Sequence, residues 1–137
     1  KTLLKEEEDF GLKNISTYLE FGKKIQDLKD RVIKNLKNLN EKYKNIIGYG
    51  APAKATTALN YFNIKKEIDF IVEDNNLKHG KFVPGVGIPI VSKDKIQNTK
   101  TPIIVLAWNY FDEIKKNNHK ISDNFINIKE LEKNNFK

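Results

Sequence analysis

At 137 residues without cysteine or methionine, the chain has the length of one domain with a real core, and it excludes disulfides, thiolate nucleophiles and cysteine-bound zinc or iron–sulfur sites. The formal charge of +7 rests on lysine, Arg31 being the single arginine among 25 basic residues, and lysines interleaved with acids from end to end describe a solvated surface, not a nucleic-acid binder. Two histidines, His79 and His119, are too few for a histidine-rich metal site, and no apolar run reaches the ~20 residues of a membrane span, so a soluble cytoplasmic protein is expected.

The missing initiator methionine predicts a processed or excised piece of a longer parent. Residues 1–14 carry a charged run, Lys5 to Asp9, and are expected to be a frayed lead-in or a connection from a preceding domain, with the folded domain spanning 15–137. Thr17-Tyr18-Leu19-Glu20 fits a capping box, which predicts a helix start there. Phe21, Ile25, Leu28, Val32, Leu36, Leu39 and Tyr43 then recur at steps of three and four, one face of a long amphipathic helix ending near Asn40. That stripe suits a helix laid against a sheet, or a dimer or interdomain coiled coil. The small number of heptads favours the first.

Asn45 to Tyr49 is the first predicted strand, followed by a glycine corner and a helix running to about Tyr61, with Asn63 as its stop. Ile68 to Val72 is the second strand, closing in Glu73-Asp74-Asn75-Asn76. The next stretch is dense in Gly and Pro. Pro84-Gly85 fits the centre of a type II turn, and Ile88 to Val91 a short strand constrained by Pro89. A short helix is predicted after Ser92, a strand over Thr101 to Ala107, a helix over Asp112 to Asn118 and a last strand over Asn124 to Ile128, before a short charged tail. Strands alternating with helices, and apolar strand centres without polar alternation, predict an α/β domain whose mostly parallel sheet of about five strands is covered on both faces.

Gly48-Tyr49-Gly50-Ala51-Pro52-Ala53 fits the GxGxxG/A fingerprint, with a strand before it, a helix after it and an acidic strand end at the right distance beyond. In this reading Gly48 permits the turn, Gly50 admits backbone close to a ligand, and Ala53 allows tight packing of helix on strand. The N–H groups of Gly50, Ala51 and Ala53 would converge with the helix's positive end on a phosphate or another anion, and Lys54 would add charge. Pro52 sits where a missing N–H costs nothing. A turn needed only for packing gives the same pattern. Asp74 or Glu73 is placed to accept hydrogen bonds from sugar hydroxyls, or is an ordinary solvated acid. Lys78, His79 and Lys81 form a basic cluster suited to a diphosphate, or are plain surface residues. Trp108 and Asn109 end the most apolar strand, where a ligand stacks or where an indole completes the core. No catalytic constellation emerges.

Three blocks add to this reading: Gly48 to Phe62, Glu73 to Ile90, and Leu106 to Ile114. In order and spacing they resemble the signature blocks of the C-terminal domain of nucleotide-sugar C-methyltransferases, and the similarity covers residues 15–128. The residues Asn76, His79 and Val86-Gly87 depart from the family's usual choices. The resemblance implies a Rossmann-like three-layer domain and a three-part parent, with a zinc-binding segment and a central S-adenosylmethionine-binding domain ahead of this one. It implies that the methyl donor's site and the catalytic base lie outside this chain, which is not catalytic alone. A nucleoside-diphosphate sugar is the expected ligand and the central methyltransferase domain the expected partner. Gly48, Gly50, Ala51, Pro52, Ala53, Lys54, Asp74, Lys78, Lys81, Trp108 and Asn109 are the expected substrate-binding residues. The alternatives are a stand-alone NAD(P)- or nucleotide-binding domain, and a non-catalytic packing or oligomerisation module.

Overall fold

Short apolar strands whose side chains alternate between two buried faces build a sheet with helices on either side. The computed structural model describes residues 2–96 and 100–136; Lys1 of the lead-in and Lys137 of the tail lie outside them. In chain order the elements are α1 (Thr2–Phe10), α2 (Ile15–Tyr43), β1 (Ile47–Tyr49), α3 (Ala53–Phe62), β2 (Phe70–Val72), β3 (Ile90–Val91), β4 (Ile103–Val105), α4 (Phe111–Asn117) and β5 (Phe125–Asn127). Short 3-10 turns cover Asn76–Lys78, Lys93–Lys95, Trp108–Tyr110 and Ile128–Glu132. The strands pair in the order β3-β2-β1-β4-β5, every described pair parallel, with β1 at the centre.

Period two explains the layers. Ile46, Ile71, Ile104 and Leu106 point to one face, where they meet Val32, Leu36 and Leu39 of α2 and Ala55 and Leu59 of α3. Ile47, Tyr49, Val72, Ile103, Val105 and Phe125 point to the other, where Phe111 and Ile114 of α4 pack. Burying each such aliphatic side chain contributes roughly 1.5–3 kcal/mol, so the central strands hold both layers to one core. The strands are shorter than predicted. Backbone bonds continue the pairing past the strand ends, from Asp69 N to Ile46 O and from Leu106 N to Tyr49 O, and keep the flanking apolar residues Ile46 and Leu106 buried.

The long helix differs from expectation at both ends. It begins at Ile15 after Asn14, not at a Thr17 cap, because the Thr17 hydroxyl is already donating to the Gly11 carbonyl at 2.8 Å. It runs to Tyr43, beyond Asn40, whose side chain instead ties the helix to the Glu67 carbonyl at 3.0 Å. In place of a frayed lead-in, Thr2–Phe10 is helical, with no buried residue. Only the C-terminal half of α2 lies on the sheet. There the buried Asn35 donates to the carbonyls of Leu131 (2.8 Å) and Lys133 (3.0 Å), and Arg31 to that of Glu132 (2.9 Å).

Other predictions hold in detail. Asn63 stops α3 in the left-handed conformation (φ 56°). Ser92 caps the turn after β3 through Asp94 N. Gly85 has the positive φ (83°) expected of the Pro84-Gly85 turn, although the bond that closes this loop runs from Gly87 N to Val83 O, one residue longer than a type II turn. Asn60 of α3 holds that loop by donating to the Pro84 carbonyl at 2.9 Å.

Candidate functional site

The strand order dictates where a ligand would sit. From β1 the chain builds outward through β2 and β3, then returns to β4 on the other side of β1 and continues to β5. The connections leaving β1 and β4 therefore diverge, and open parallel sheets bind ligands in the crevice at such a reversal. A cleft of about 600 Å³ lies there, within the range of small-molecule sites. Its floor is Tyr49, Gly50 and Pro52; the β2 side gives Glu73, Asp74, Lys78 and His79; the β3 end gives Ser92 and Lys93. The wall across from them is Ala107, Tyr110 and one face of α4, with Glu113, Ile114, Asn117 and Asn118.

Two acids dominate, and they are held differently. Glu73, with a side chain only 13% exposed, turns back into the glycine corner. Its Oε2 accepts from Ala51 N at 2.9 Å and from Lys78 Nζ at 3.1 Å, and its Oε1 accepts from Asn75 N at 3.1 Å. Burial alone would push this carboxyl up, but the hydrogen bonds from Ala51 and Asn75 and the Lys78 ammonium together hold it below the ordinary glutamate value. Lys78 also donates to the Ala51 carbonyl at 3.0 Å, closing the corner. Asp74 instead stands in the cleft with its side chain 58% exposed. The Tyr49 hydroxyl lies 3.0 Å from each of its oxygens, and Lys93 Nζ is 3.7 Å away. Burial, reinforced by Asp74, drives the Tyr49 phenol far above its usual value, so it stays a neutral donor that fixes the orientation of the carboxylate. His79 Nε2 lies 2.7 Å from the Glu73 carbonyl, which can only accept, so the proton is on Nε2.

This arrangement corrects the anion-corner expectation. The Gly50 N–H is spent on the Val72 carbonyl at 2.8 Å and the Ala51 N–H on Glu73, so two of the three expected amides, all but that of Ala53, do not point to an open site; the anion met at Ala51 is the protein's own carboxylate. Gly48 is not the turn residue. It lies within β1, where a Cβ would meet Ile71 Cγ1 at 2.8 Å. Gly50 makes the turn, with φ of 83°, and its close approach is to Ala107. Ala53 is exposed, and the residue packed on the sheet is Ala55. Pro52 caps α3 and lies just ahead of its first turn.

Of the expected binding residues, the cleft gathers Gly50, Pro52, Asp74 and Lys78. Lys54 lies elsewhere, its Nζ 4.1 Å from the centroid of the Trp108 ring. Trp108 is partly buried against the core of the α2 and α3 face, and with Asn109 it borders a separate shallow depression near Asn127 and Lys129. Lys81 borders an apolar hollow with Phe82 and Pro89. The sequence reading missed Tyr49, Ser92, Lys93, Tyr110, Glu113, Asn117 and Asn118. Tyr49 was signalled by its place at the carboxyl tip of β1, and the α4 set by the spacing of Tyr110, Glu113 and Asn117 along one helical face. Among the described residues no cluster of three or more His, Cys, Asp or Glu side chains could hold a metal ion, and no helix is long and apolar enough to cross a membrane.

Residues 1–127 match the family described as the C-methyltransferase C-terminal domain. Over 124 residues the chain is 31% identical to C-methyltransferase NovU of Streptomyces niveus, a match covering 89% of this chain and 30% of that relative. The chain thus spans under a third of the length of the curated relative it matches.

Proposed function

The chain belongs to the C-methyltransferase C-terminal domain family, and from that premise we propose that it is the substrate-binding part of an S-adenosylmethionine-dependent sugar C-methyltransferase. In this reading the ligand is a nucleoside-diphosphate deoxysugar, and a separate methyltransferase domain of the parent protein, working in the cytoplasm, performs the transfer. The observation that carries the proposal is Asp74. Both its oxygens are oriented by a neutral tyrosine hydroxyl, and it faces a 600 Å³ cleft lined by hydroxyl and amide side chains.

Such a carboxylate accepts hydrogen bonds from sugar hydroxyls, which donate but carry no charge to repel it. Tyr110 and Asn117 line the same cleft as further donors and acceptors, whereas the Ser92 hydroxyl donates to Asp94 and the Asn118 amide to the Ile114 carbonyl. Because the Gly50 and Ala51 amides are occupied, a diphosphate is met by side chains, Lys93 and Lys78, which border the cleft beside the two acids. The methyl donor, when bound to the parent, supplies an electrophilic methyl group to a sugar carbon. The glycine corner does not fit that donor, its Gly50 and Ala51 amides being committed to Val72 and Glu73, so this chain's role is to bind and orient the acceptor. The engaged Gly50 and Ala51 amides argue against the NAD(P)-binding alternative, whose pyrophosphate needs free amides at that turn.

Calorimetric titration of the chain with a deoxythymidine-diphosphate sugar, NAD and S-adenosylmethionine tests the reading. Heat is expected for the sugar nucleotide alone, with Asp74→Asn weakening it about 10-fold, the equivalent of one charge-assisted hydrogen bond. A preference for NAD, or binding indifferent to Asp74→Asn, overturns it.

A further inference from the structure

The row of apolar side chains that seats α2 on the sheet does not stop where the sheet stops. Val32, Leu36 and Leu39 are buried, Ile25 and Leu28 half-covered, and Phe21 and Tyr18 continue the same face into solvent, Phe21 63% exposed. Ile15 and Leu19 widen the strip, and α1, joined to it through the Gly11–Asn14 corner, leaves Leu3, Leu4 and Phe10 exposed as well, Leu3 and Ile15 each 74% exposed. Eight large apolar side chains left in water within the first 21 residues cost a monomer solubility and bring its own core nothing. The arm is also set in place. Thr17 Oγ1 donates to Gly11 O at 2.8 Å, and the Tyr18 hydroxyl donates to Leu12 O at 2.7 Å, so the corner between α1 and α2 is fixed before anything docks.

We infer that this face, Ile15 to Phe21 with Leu3, Leu4 and Phe10, is the seat of the domain that precedes this one in the parent chain. The inference rests on the proposed function for the existence of that domain. Two observations select this occupant. The family match is to a C-terminal domain and begins at residue 1, so the arm belongs to the shared unit. In the NovU relative the greater part of the chain lies outside the matched segment and, for a C-terminal domain, ahead of it. A preceding domain therefore joins the chain beside the exposed strip. Tethered there, it has an effective concentration on the order of millimolar, well above that of a second free copy. Docked on the arm, it would be fixed to the same α2 that is anchored on the sheet, giving the cleft a set position relative to its neighbour.

Hydrogen exchange on the full gene product and on the 137-residue chain tests this. Amides of residues 15–27 are expected to exchange at least ~100-fold more slowly in the full product, as befits a buried helix against an open one. The pair Leu19→Lys and Phe21→Lys, both at exposed positions, is expected to abolish that protection while helix content and sugar-nucleotide binding by the short chain persist. Equal exchange in the two proteins, an open reading frame with no preceding domain, or protection already present in a dimer of the short chain each overturns the inference. Protection without any sugar-nucleotide binding would instead sink the proposed function and leave the docking surface standing.

Discussion

Replacing Glu73 by glutamine tests whether the carboxylate at the glycine corner acts as an internal anion. The carboxylate accepts three hydrogen bonds, from Ala51 N (2.9 Å), Asn75 N (3.1 Å) and Lys78 Nζ (3.1 Å). An amide cannot accept at both ends, so at least one donor faces an NH₂ group and Lys78 loses its counter-charge. A charge-assisted hydrogen bond contributes about 1.5–3 kcal/mol. Lys78 is 38% exposed and recovers part of its hydration, so the net loss works out at about 2 kcal/mol. For a domain of this size that lowers Tm by roughly 6–8 °C. The sign of the pH dependence follows from the lowered Glu73 value. Its contribution is fully present above the unfolded value of about 4.3 and is lost as pH falls through the lower folded value. Thermal melts near neutral pH and near pH 3 should therefore show a wide gap between wild type and Glu73→Gln that closes on acidification. Equal melting at neutral pH, or a gap that persists in acid, would refute the reasoning.

Three further outcomes are expected. Gly50→Val places a β-branched residue at φ 83° with its Cβ 2.8 Å from that of Ala107, so urea titration should show a loss of ~3 kcal/mol or more, and a wild-type midpoint would contradict the geometry. Tyr49→Phe keeps the ring in its core but removes the donor to Asp74. It should cost about 1 kcal/mol in stability and roughly 5-fold in sugar-nucleotide affinity, and unchanged affinity would mean that other groups orient the carboxylate. Trp108 is the sole tryptophan and lies beneath Lys54, outside the cleft. Lys54→Ala should change its fluorescence, while saturating the cleft with ligand should not, and strong quenching by ligand would place the sugar nucleotide on the indole.

What the sequence disclosed was what depends on local pattern. The strand, glycine corner and helix at Ile47–Phe62, the stop at Asn63 and the cap at Ser92 follow from residues acting on near neighbours. The two-faced parallel sheet follows from apolar strands without polar alternation. The course of Glu73 was not legible, because its place on the Ala51 amide is chosen by a contact across 22 positions in which the corner satisfies itself. Nor was the division of the glycines: Gly48 and Gly50 look alike in the fingerprint, yet one answers to Ile71 and the other to Ala107. Trp108 and Lys54 were each read as facing ligand, and their mutual stacking took both away from the cleft. The apolar stripe of α2 favours a helix laid against the sheet over a dimer or interdomain coiled coil, but periodicity reports only that a face is apolar and is silent on where its cover ends.

The clasp between α2 and the last 3-10 turn bears on how the molecule is made. Asn35 is bonded to a carbonyl 96 positions later in the chain, so α2 lacks its complete seat until those intervening residues have been made. Through that interval Val32, Leu36 and Leu39 are apolar groups without their final neighbours, beside an arm that stays apolar afterwards. Such long-range closure slows folding and leaves nascent chains prone to self-association. Yield during expression should therefore respond to temperature and to chaperone supply more sharply than the stability of the finished domain would suggest.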